Sequence, residues 1–213
     1  TDCAGKELQT TFDFSLGSSG NMFSVEALRD ITVSSLIINA MSRGEGTVKV
    51  YTRNGSYSGY ERSSEGWELI YDNPTVAHNR RGKLTELGDF YNAVSIAGGA
   101  TQSFFVTSSR GLVYQSGSQE SAEFVSDESL SILEGIGTDA SFSSTKFTPR
   151  VWGGIIRYNV IGNNPTMAPT KSTSAETCGD NVCSMEEGAE TCPTDCAGKE
   201  LQTTFEFSLG SSG

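Results

Sequence analysis

The sequence predicts an all-β protein in which a β-sandwich or jelly roll is followed by an extended linker and a small disulfide-rich knot. Short segments of alternating apolar and polar residues, separated by turn residues, fill the chain from 7 to 161, as is typical of a sandwich. A stretch rich in Pro, Thr and Ser follows at 162–177, and four cysteines then crowd into 178–198. No window carries a helical apolar period over three turns.

The strands are predicted from their two-residue period. In 46–53, for example, Val48, Val50 and Thr52 share one face of the strand. The clearest segments are 31–41, 46–53, 101–108, 111–117, 130–137 and 153–161. Turns are expected at Asn54-Gly55, Asn73-Pro74 and Gly98-Gly99, because these residues favour turn conformations.

The opening residues predict one more half-buried strand. Its apolar face would carry every second residue of the segment: Leu8, Thr10, Phe12, Phe14 and Leu16. In the second copy described below, the same face would carry Leu201, Phe205, Phe207 and Leu209.

Residues 1–20 reappear at 194–213 with nineteen of twenty letters unchanged, the exception being Asp13, which becomes Glu206. We interpret this as a long-period tandem repeat; an artificial duplication is the alternative, which the Asp-to-Glu difference disfavours. The predicted parts are the end of a preceding knot (1–6), a sandwich (7–161), a linker (162–177), a knot (178–198) and the first strand of the next repeat (199–213).

The repeat explains the odd cysteine count, because Cys3 corresponds to Cys196 and would close the preceding knot. Each knot then contains four cysteines, which allow three disulfide connectivities. We favour Cys178–Cys192 with Cys183–Cys196, since this interlaced pattern holds both ends of a segment that has hardly any apolar core. Dense cysteines in a small segment indicate a secreted or extracellular protein. Zinc is the alternative, but the segment contains no His and its spacing fits no familiar zinc pattern.

Calcium is the one cofactor expected, in the knot. Hard oxygen donors of the kind that calcium prefers lie within sixteen residues: Asp180, Asn181, Glu187 and Asp195. Alternatively, these side chains cap turns and keep the knot soluble. Glycosylation is expected at Asn54, within an Asn-Gly-Ser sequon, and on linker residues such as Thr166 and Thr170.

One aromatic group is a candidate for stacking on sugar rings. It comprises Tyr51, Tyr57, Tyr60 and Trp67, with Arg53 and Asn54 as hydrogen-bonding neighbours. Ordinary core and edge packing is the favoured alternative for aromatic residues that flank a β-turn. A guanidinium of Arg150 stacked on Trp152 would likewise be structural.

The sequence predicts no enzyme. The lone histidine, His78, lies in the basic segment "TVAHNRRGK", which reads as a loop, and no hydrolase, zinc-protease or phosphate-loop motif occurs. Carboxylates such as Glu134 and Asp139 are not singled out by any pattern. The net charge of −11 disfavours nucleic-acid partners, and no run is long and apolar enough for a membrane span.

The body of the chain resembles a β-domain of bacterial surface and secreted proteins of uncharacterised function. The matching pieces are "GNMFSVEAL" (20–28), "VKVYTRNGSYSGYE" (48–61) with the following Trp67, "LSILEGIG" (130–137) and "FSSTKFTPRVWGGIIRY" (142–158). The resemblance implies an extracellular all-β sandwich and brings no catalytic residues. The linker and knot are similar to spacers of secreted microalgal proteins, such as those of diatoms, with "PTxAPT" and "CGDxxC…ETCPxDC" motifs.

These observations predict a structural repeat of a large secreted protein that forms a fibre, an adhesive strand or a surface appendage, with neighbouring copies as its partners. The alternative is a tandem carbohydrate-binding module with a polysaccharide partner, whose copies would gain avidity. The two differ in whether the aromatic group at 51–67 forms an exposed platform.

Overall fold

The computed structural model describes residues 5–12 and 16–161. These residues form thirteen β-strands and no helix, arranged in two antiparallel sheets that share one core, as expected of a sandwich. The all-β prediction is therefore confirmed for this part of the chain. The predicted linker, knot and second copy of the opening segment, at 162–213, lie outside the described residues.

The strands run in chain order as β1 Lys6–Gln9, β2 Leu16–Ala27, β3 Ile31–Asn39, β4 Gly44–Asn54, β5 Glu68–His78, β6 Leu84–Glu86, β7 Val94–Ile96, β8 Thr101–Ser116, β9 Glu123–Ser126, β10 Leu130–Leu133, β11 Gly135–Thr138, β12 Lys146–Trp152 and β13 Gly154–Val160. The smaller sheet has the order β1-β13-β3-β6, with β7 also paired to β3. The larger sheet has the order β5-β4-β8-β12-β11-β2-β10-β9.

Four strands of the larger sheet close into a ring. Strand β8 pairs with β12, β12 with β11, β11 with β2, and β2 again with β8. The ring is possible because β8 is 16 residues long and bends at Gly111, whose φ of +68° suits a residue without a Cβ. The first half of β8 lies between β4 and β2, and its second half pairs with β12 and the start of β2.

The main core lies between the two sheets. Its centre is the stack of Phe23 on Trp152, whose ring centres are 4.3 Å apart. Aliphatic residues from both sheets surround this pair, among them Leu36, Ile38, Val50, Val106, Ile132 and Ile156, all 1% exposed or less. A second, smaller cluster covers the outer face of the larger sheet and contains Met22, Tyr57, Phe105 and Ile136.

Local alternation located β3, β4, β8, β10, β11 and β13 but did not single out β2, β5, β6, β7, β9 or β12, and it misplaced three boundaries. The segments 101–108 and 111–117 are one strand, because β8 continues through Gly111. The segment 130–137 is two strands, broken at Glu134. The Asn73-Pro74 pair is not a turn, because it lies inside β5, where the register with β4 shifts. Proline is tolerated there because β5 is an edge strand and the site is a bulge.

The predicted opening strand is wrong in its length and its face. Strand β1 ends at Gln9 and belongs to the smaller sheet, whereas β2 begins at Leu16 and belongs to the larger one. Leu8 is buried as expected, but Leu16 is 43% exposed. One face cannot stay buried along 8–16, since the chain changes sheets within that stretch.

We expect Gly135→Ala to reduce the free energy of unfolding by about 3 kcal/mol or more. A Cβ at this position would lie 1.9 Å from the carbonyl oxygen of Met22 and 2.9 Å from the Cα of Phe23. These are backbone atoms of the paired strand, so neither can move aside alone. Urea unfolding at constant pH gives the measurement.

Gly88→Ala is the matched control, because its Cβ would meet no atom closer than 3.8 Å. It should change the free energy of unfolding by no more than about 0.5–1 kcal/mol. Similar urea midpoints for the two variants would contradict the close approach of β11 and β2.

Candidate functional site

The loop of residues 55–67, which joins β4 to β5, brings the predicted aromatic group together on the outer face of the larger sheet. The loop can fold back because Gly59 and Gly66 adopt φ values of +88° and +78°. Tyr57 at its start packs into the outer cluster, and Trp67 at its end lies over Phe105 with ring centres 5.9 Å apart.

Tyr57 presents no ring face to solvent, being 1% exposed. Its hydroxyl donates to Glu120 Oε1 at 3.0 Å, so the buried phenol is satisfied. Burial, and then the negative charge of Glu120, raises the pKa of Tyr57 well above its usual range. In this conformation Tyr57 holds the loop on the sheet.

Tyr51 and Trp67 are half-buried by other aromatic rings. Tyr51 stacks on Phe105 at 5.9 Å and meets the edge of Phe142 at 5.1 Å. Trp67 meets the same Phe142 at 6.3 Å. Most of the aromatic surface that the sequence singled out is therefore used in packing, which corresponds to the favoured alternative.

Tyr60 is the exposed member of the group, with 41% of its surface accessible. The guanidinium carbon of Arg53 lies 3.5 Å from the centre of the Tyr60 ring and 5.9 Å from that of Trp67, a cation–π arrangement. The Trp67 indole nitrogen donates to the Tyr60 carbonyl at 3.0 Å. The Nε of Arg53 has no hydrogen-bond partner among the described residues.

A cleft of about 300 Å³ lies beside this stack. Its walls include Arg53, Trp67, Glu68 and Gln102, which combine a cation, an indole, a carboxylate and an amide. The Gln102 amide is fixed by donating to Thr52 Oγ1 at 2.7 Å. Such a lining supplies both hydrogen-bond donors and acceptors for a polyhydroxylated ligand.

Asn54, the predicted N-glycosylation site, is exposed at the end of β4 and also lines the cleft. The following Gly55 has a φ of +74° and donates its N–H to the Thr101 carbonyl at 2.9 Å. The sequon therefore stands on an ordered turn, with its asparagine side chain accessible from solvent.

His78 lies at the end of β5 rather than in a loop, and it is 2% exposed. Its Nδ1 is 2.9 Å from the Val76 carbonyl, and its Nε2 is 2.9 Å from Ser108 Oγ. A carbonyl can only accept, so Nδ1 carries the proton and Nε2 accepts from the serine hydroxyl. Burial is the main cause that lowers the pKa of His78 below its ordinary value.

Five cations lie on the chain segments next to this histidine or its pairing partner Gly44, and we call them the basic corner: Arg43, Arg80, Arg81, Lys83 and Arg110. Gly44 pairs with His78, and Arg110 Nε donates to the Glu45 carbonyl at 2.8 Å. Arg81 reaches the Met41 sulfur at 3.8 Å. Within the described residues none of the five forms an ion pair with a carboxylate. Only Arg80, Arg81 and Lys83 could be recognised from the sequence, in the segment "HNRRGK", because Arg43 and Arg110 are far from this segment in the chain.

The two carboxylates considered for catalysis serve local structure. Glu134 accepts from Ser118 N at 2.6 Å, from Ser118 Oγ at 2.9 Å and from Gln119 N at 2.9 Å, which anchors the turn after β8. Asp139 is exposed, and hydrogen bonds from Ser143 and Thr145 lower its pKa.

Arg150 does not stack on Trp152, although the two residues are close in sequence. The Arg150 guanidinium lies 5.1 Å from the ring centre of Tyr114, the neighbour of Trp152 across the β8–β12 pair. The indole of Trp152 packs on Phe23 in the core instead. The expectation that Trp152 is structural is consistent with this placement.

The first and last strands of the described part lie side by side at an edge of the smaller sheet. Lys6 is opposite Tyr158 and Gln9 is opposite Ile155, so both strands have their outer ends at the same end of the sandwich. Ion pairs join Lys6 to Glu128, and Glu7 to Arg157 at 2.7 Å. We call the place occupied by residues 6–12 the β1 site.

The remaining predicted sites lie outside the described residues. They are the five cysteines, the calcium ligands Asp180, Asn181, Glu187 and Asp195, and the linker threonines Thr166 and Thr170. Within 5–12 and 16–161 no three His, Cys, Asp or Glu side chains group in a way that suits a metal ion. Over the same residues, no helix has the length and apolarity needed to cross a membrane.

The sequence matches no known protein family, and no curated protein is significantly similar to it. The resemblance to the bacterial surface domain and to microalgal spacers therefore stays a prediction.

We expect His78 to make stability depend on pH below about 6.5, its ordinary pKa. The pKa of His78 is lowered in the folded state, so the unfolded chain binds the proton more tightly. The contribution of His78 to stability is therefore complete above about pH 6.5 and is lost as the pH falls through its folded-state pKa. Urea midpoints from pH 7.5 to pH 5 measure the slope.

His78→Gln should be less stable than wild type at pH 7.5 but show a flatter pH dependence in the same window. Asp and Glu carboxylates contribute little to the change in stability between pH 7.5 and pH 5, because their ordinary pKa values lie near 4. An unchanged slope in the variant would mean that another group causes the pH dependence.

Proposed function

We propose that the chain is a repeat unit of a large secreted protein that forms an extracellular fibre, adhesive strand or surface appendage. The observation that carries this proposal is the return of residues 1–20 at 194–213. Its structural support is that residues 6–9 form β1, a paired strand of the sandwich with a buried leucine. The first copy of the segment is thus part of the folded module, which favours a repeated module over an appended tag.

The arrangement of β1 and β13 suits a module carried in series. The antiparallel pair places Gly5 beside Asn159, so the chain enters and leaves the sandwich at one end. Tension between successive modules would load the β1–β13 pair from that end and break its hydrogen bonds in succession. Such a module yields stepwise under extension, while the larger sheet, which does not contain β1, keeps its pairing.

The composition of the rest of the chain agrees with this role. The Pro/Thr/Ser stretch at 162–177 suits a semi-rigid spacer. The cysteine-rich segment that follows would limit extension through its disulfides and indicates an oxidising, extracellular location. Calcium bound to the acidic knot residues would add a further cross-link.

Electron microscopy of the protein isolated from its source tests the proposal. We expect filaments or strands with evenly spaced globular repeats, each corresponding to the 193-residue offset between Thr1 and Thr194. The 213-residue chain, which contains one sandwich, is the control and should appear as single particles at low concentration. Native material that consists of dispersed single modules would contradict a repeat array.

Carbohydrate binding is the second candidate function, and the cleft beside Tyr60 favours it. A polysaccharide could stack on the exposed ring of Tyr60 while Arg53, Glu68 and Gln102 bind its hydroxyl groups. Tyr51 and Tyr57 would support the loop from below rather than contact the sugar. Tandem copies of such a weak site would bind a polymer with avidity.

We expect Tyr60→Ala to weaken polysaccharide binding by about tenfold or more, because it removes an exposed aromatic face. Calorimetric titration with a panel of soluble neutral and acidic polysaccharides provides the measurement. Tyr91→Ala is the control, since Tyr91 is 61% exposed but lies between β6 and β7, whereas Tyr60 stacks on Arg53 in the cleft wall. If wild type binds no member of the panel, or both variants bind equally well, the cleft is not a sugar site.

A further inference from the structure

We propose that the β1 site is exchangeable between molecules: it accepts residues 199–205 of a second copy of the chain in place of its own residues 6–12. Separate arrays would then be joined by strands inserted into sheets. The inference rests on the proposed function as a repeat unit and adds the way in which such units associate.

The contacts that define the β1 site come from residues 6–12. Leu8 is the buried residue, at 8% exposure, and it lies opposite Ile156. Thr10 makes a two-way contact with Gly154, donating from its N–H and hydroxyl to the carbonyl at 3.0 Å and accepting from the N–H at 2.9 Å. The Phe12 carbonyl accepts from Asn39 Nδ2 at 3.3 Å.

The segment that makes these contacts is duplicated without any change. Residues 199–205 have the sequence KELQTTF, identical to residues 6–12, and the first difference comes one residue later, at Asp13 and Glu206. Identical side chains on an identical backbone can make the same hydrogen bonds, ion pairs and leucine contact. The site therefore cannot distinguish the two strands chemically, and only their covalent connection and local concentration decide between them.

Because of its position in the sheet, β1 can be replaced with little loss of stability. Within the described residues it is an edge strand of four residues that pairs with β13 alone. Its release exposes one sheet edge and interrupts no other ladder, because β2 begins in the other sheet. Sheet edges are the usual places for strand addition, and exchange of an identical element between copies is a low-cost route to association.

The test uses the full chain with both copies of the strand weakened and a synthetic peptide to replace them. Leu8→Lys combined with Leu201→Lys places a charge at the buried position of each copy. The peptide KELQTTFEFSL, which corresponds to 199–209, is then added. Amide hydrogen exchange is followed by mass spectrometry at β13 residues 154–160.

We expect the peptide to slow exchange in β13 by about tenfold at a concentration about ten times its dissociation constant. The same peptide with Lys in place of Leu should leave exchange unchanged, because it cannot fill the leucine site. If the lysine variant does not fold, the double variant Leu8→Ala, Leu201→Ala replaces it. In addition, β13 exchange is measured in the wild-type chain with an excess of the leucine peptide.

Unchanged β13 exchange with the leucine peptide, in a variant whose circular dichroism shows a folded sandwich, would overturn the proposal. Equal effects of the leucine and lysine peptides would do the same, since they would indicate unspecific adsorption. Neither outcome affects the repeat-unit proposal, which depends on the filaments seen in native material. Dispersed modules in that material would instead remove the repeat unit, whatever the peptide does.

Discussion

The closed ring formed by β8, β12, β11 and β2 is the constraint on which the rest of the structure depends. It brings backbones so close that Gly135 leaves no room for a methyl group against Met22. It also fixes the two faces of the larger sheet, with Phe23 and Trp152 stacked in the inner core and Met22 and Phe105 on the outside. The loop of 55–67 can cover the outer face only because this face is apolar. The cleft beside the Arg53–Tyr60 stack exists because the loop packs on that face.

The smaller sheet is less firmly held than the ring of the larger sheet, since its outer strand, β1, is short and makes few contacts. Strand β1 contributes one buried leucine and two ion pairs, and such exposed ion pairs stabilise little. A domain whose first strand detaches without disturbing its ring combines a stable body with a labile attachment. This division of stability would underlie both the proposed stepwise response to tension and the proposed exchange of strands between copies.

Charge is also divided unevenly. The chain carries a net charge of −11, yet five cations gather at the basic corner without a carboxylate partner in the described part. The corner lies near the Asn39 end of β3, where the Gly82 N–H donates to Asn39 Oδ1 at 3.0 Å, whereas Lys6 and Val160 lie near the other end of the same sheet. The described part therefore carries a local group of cations near the Asn39 end of β3, although the chain as a whole is acidic.

The sequence by itself determined the all-β class, the location of about half of the strands and the duplication of residues 1–20 at 194–213. The two-residue alternation of Val48, Val50 and Thr52 records burial on one face, which is a local property of a strand. The tertiary structure decided the features that depend on residues far apart in the sequence. Strand β8 runs through Gly111 because β2 and β12 pair with it there, Pro74 fits a strand because β5 is an edge, and Tyr57 is buried while Tyr60 is exposed because the loop packs on Phe105. Arg43 and Arg110 join Arg80 only once β4, β5 and β8 are side by side. Alternation along a strand shows that it has an inner and an outer face, but not which strand, loop or second molecule covers each of them.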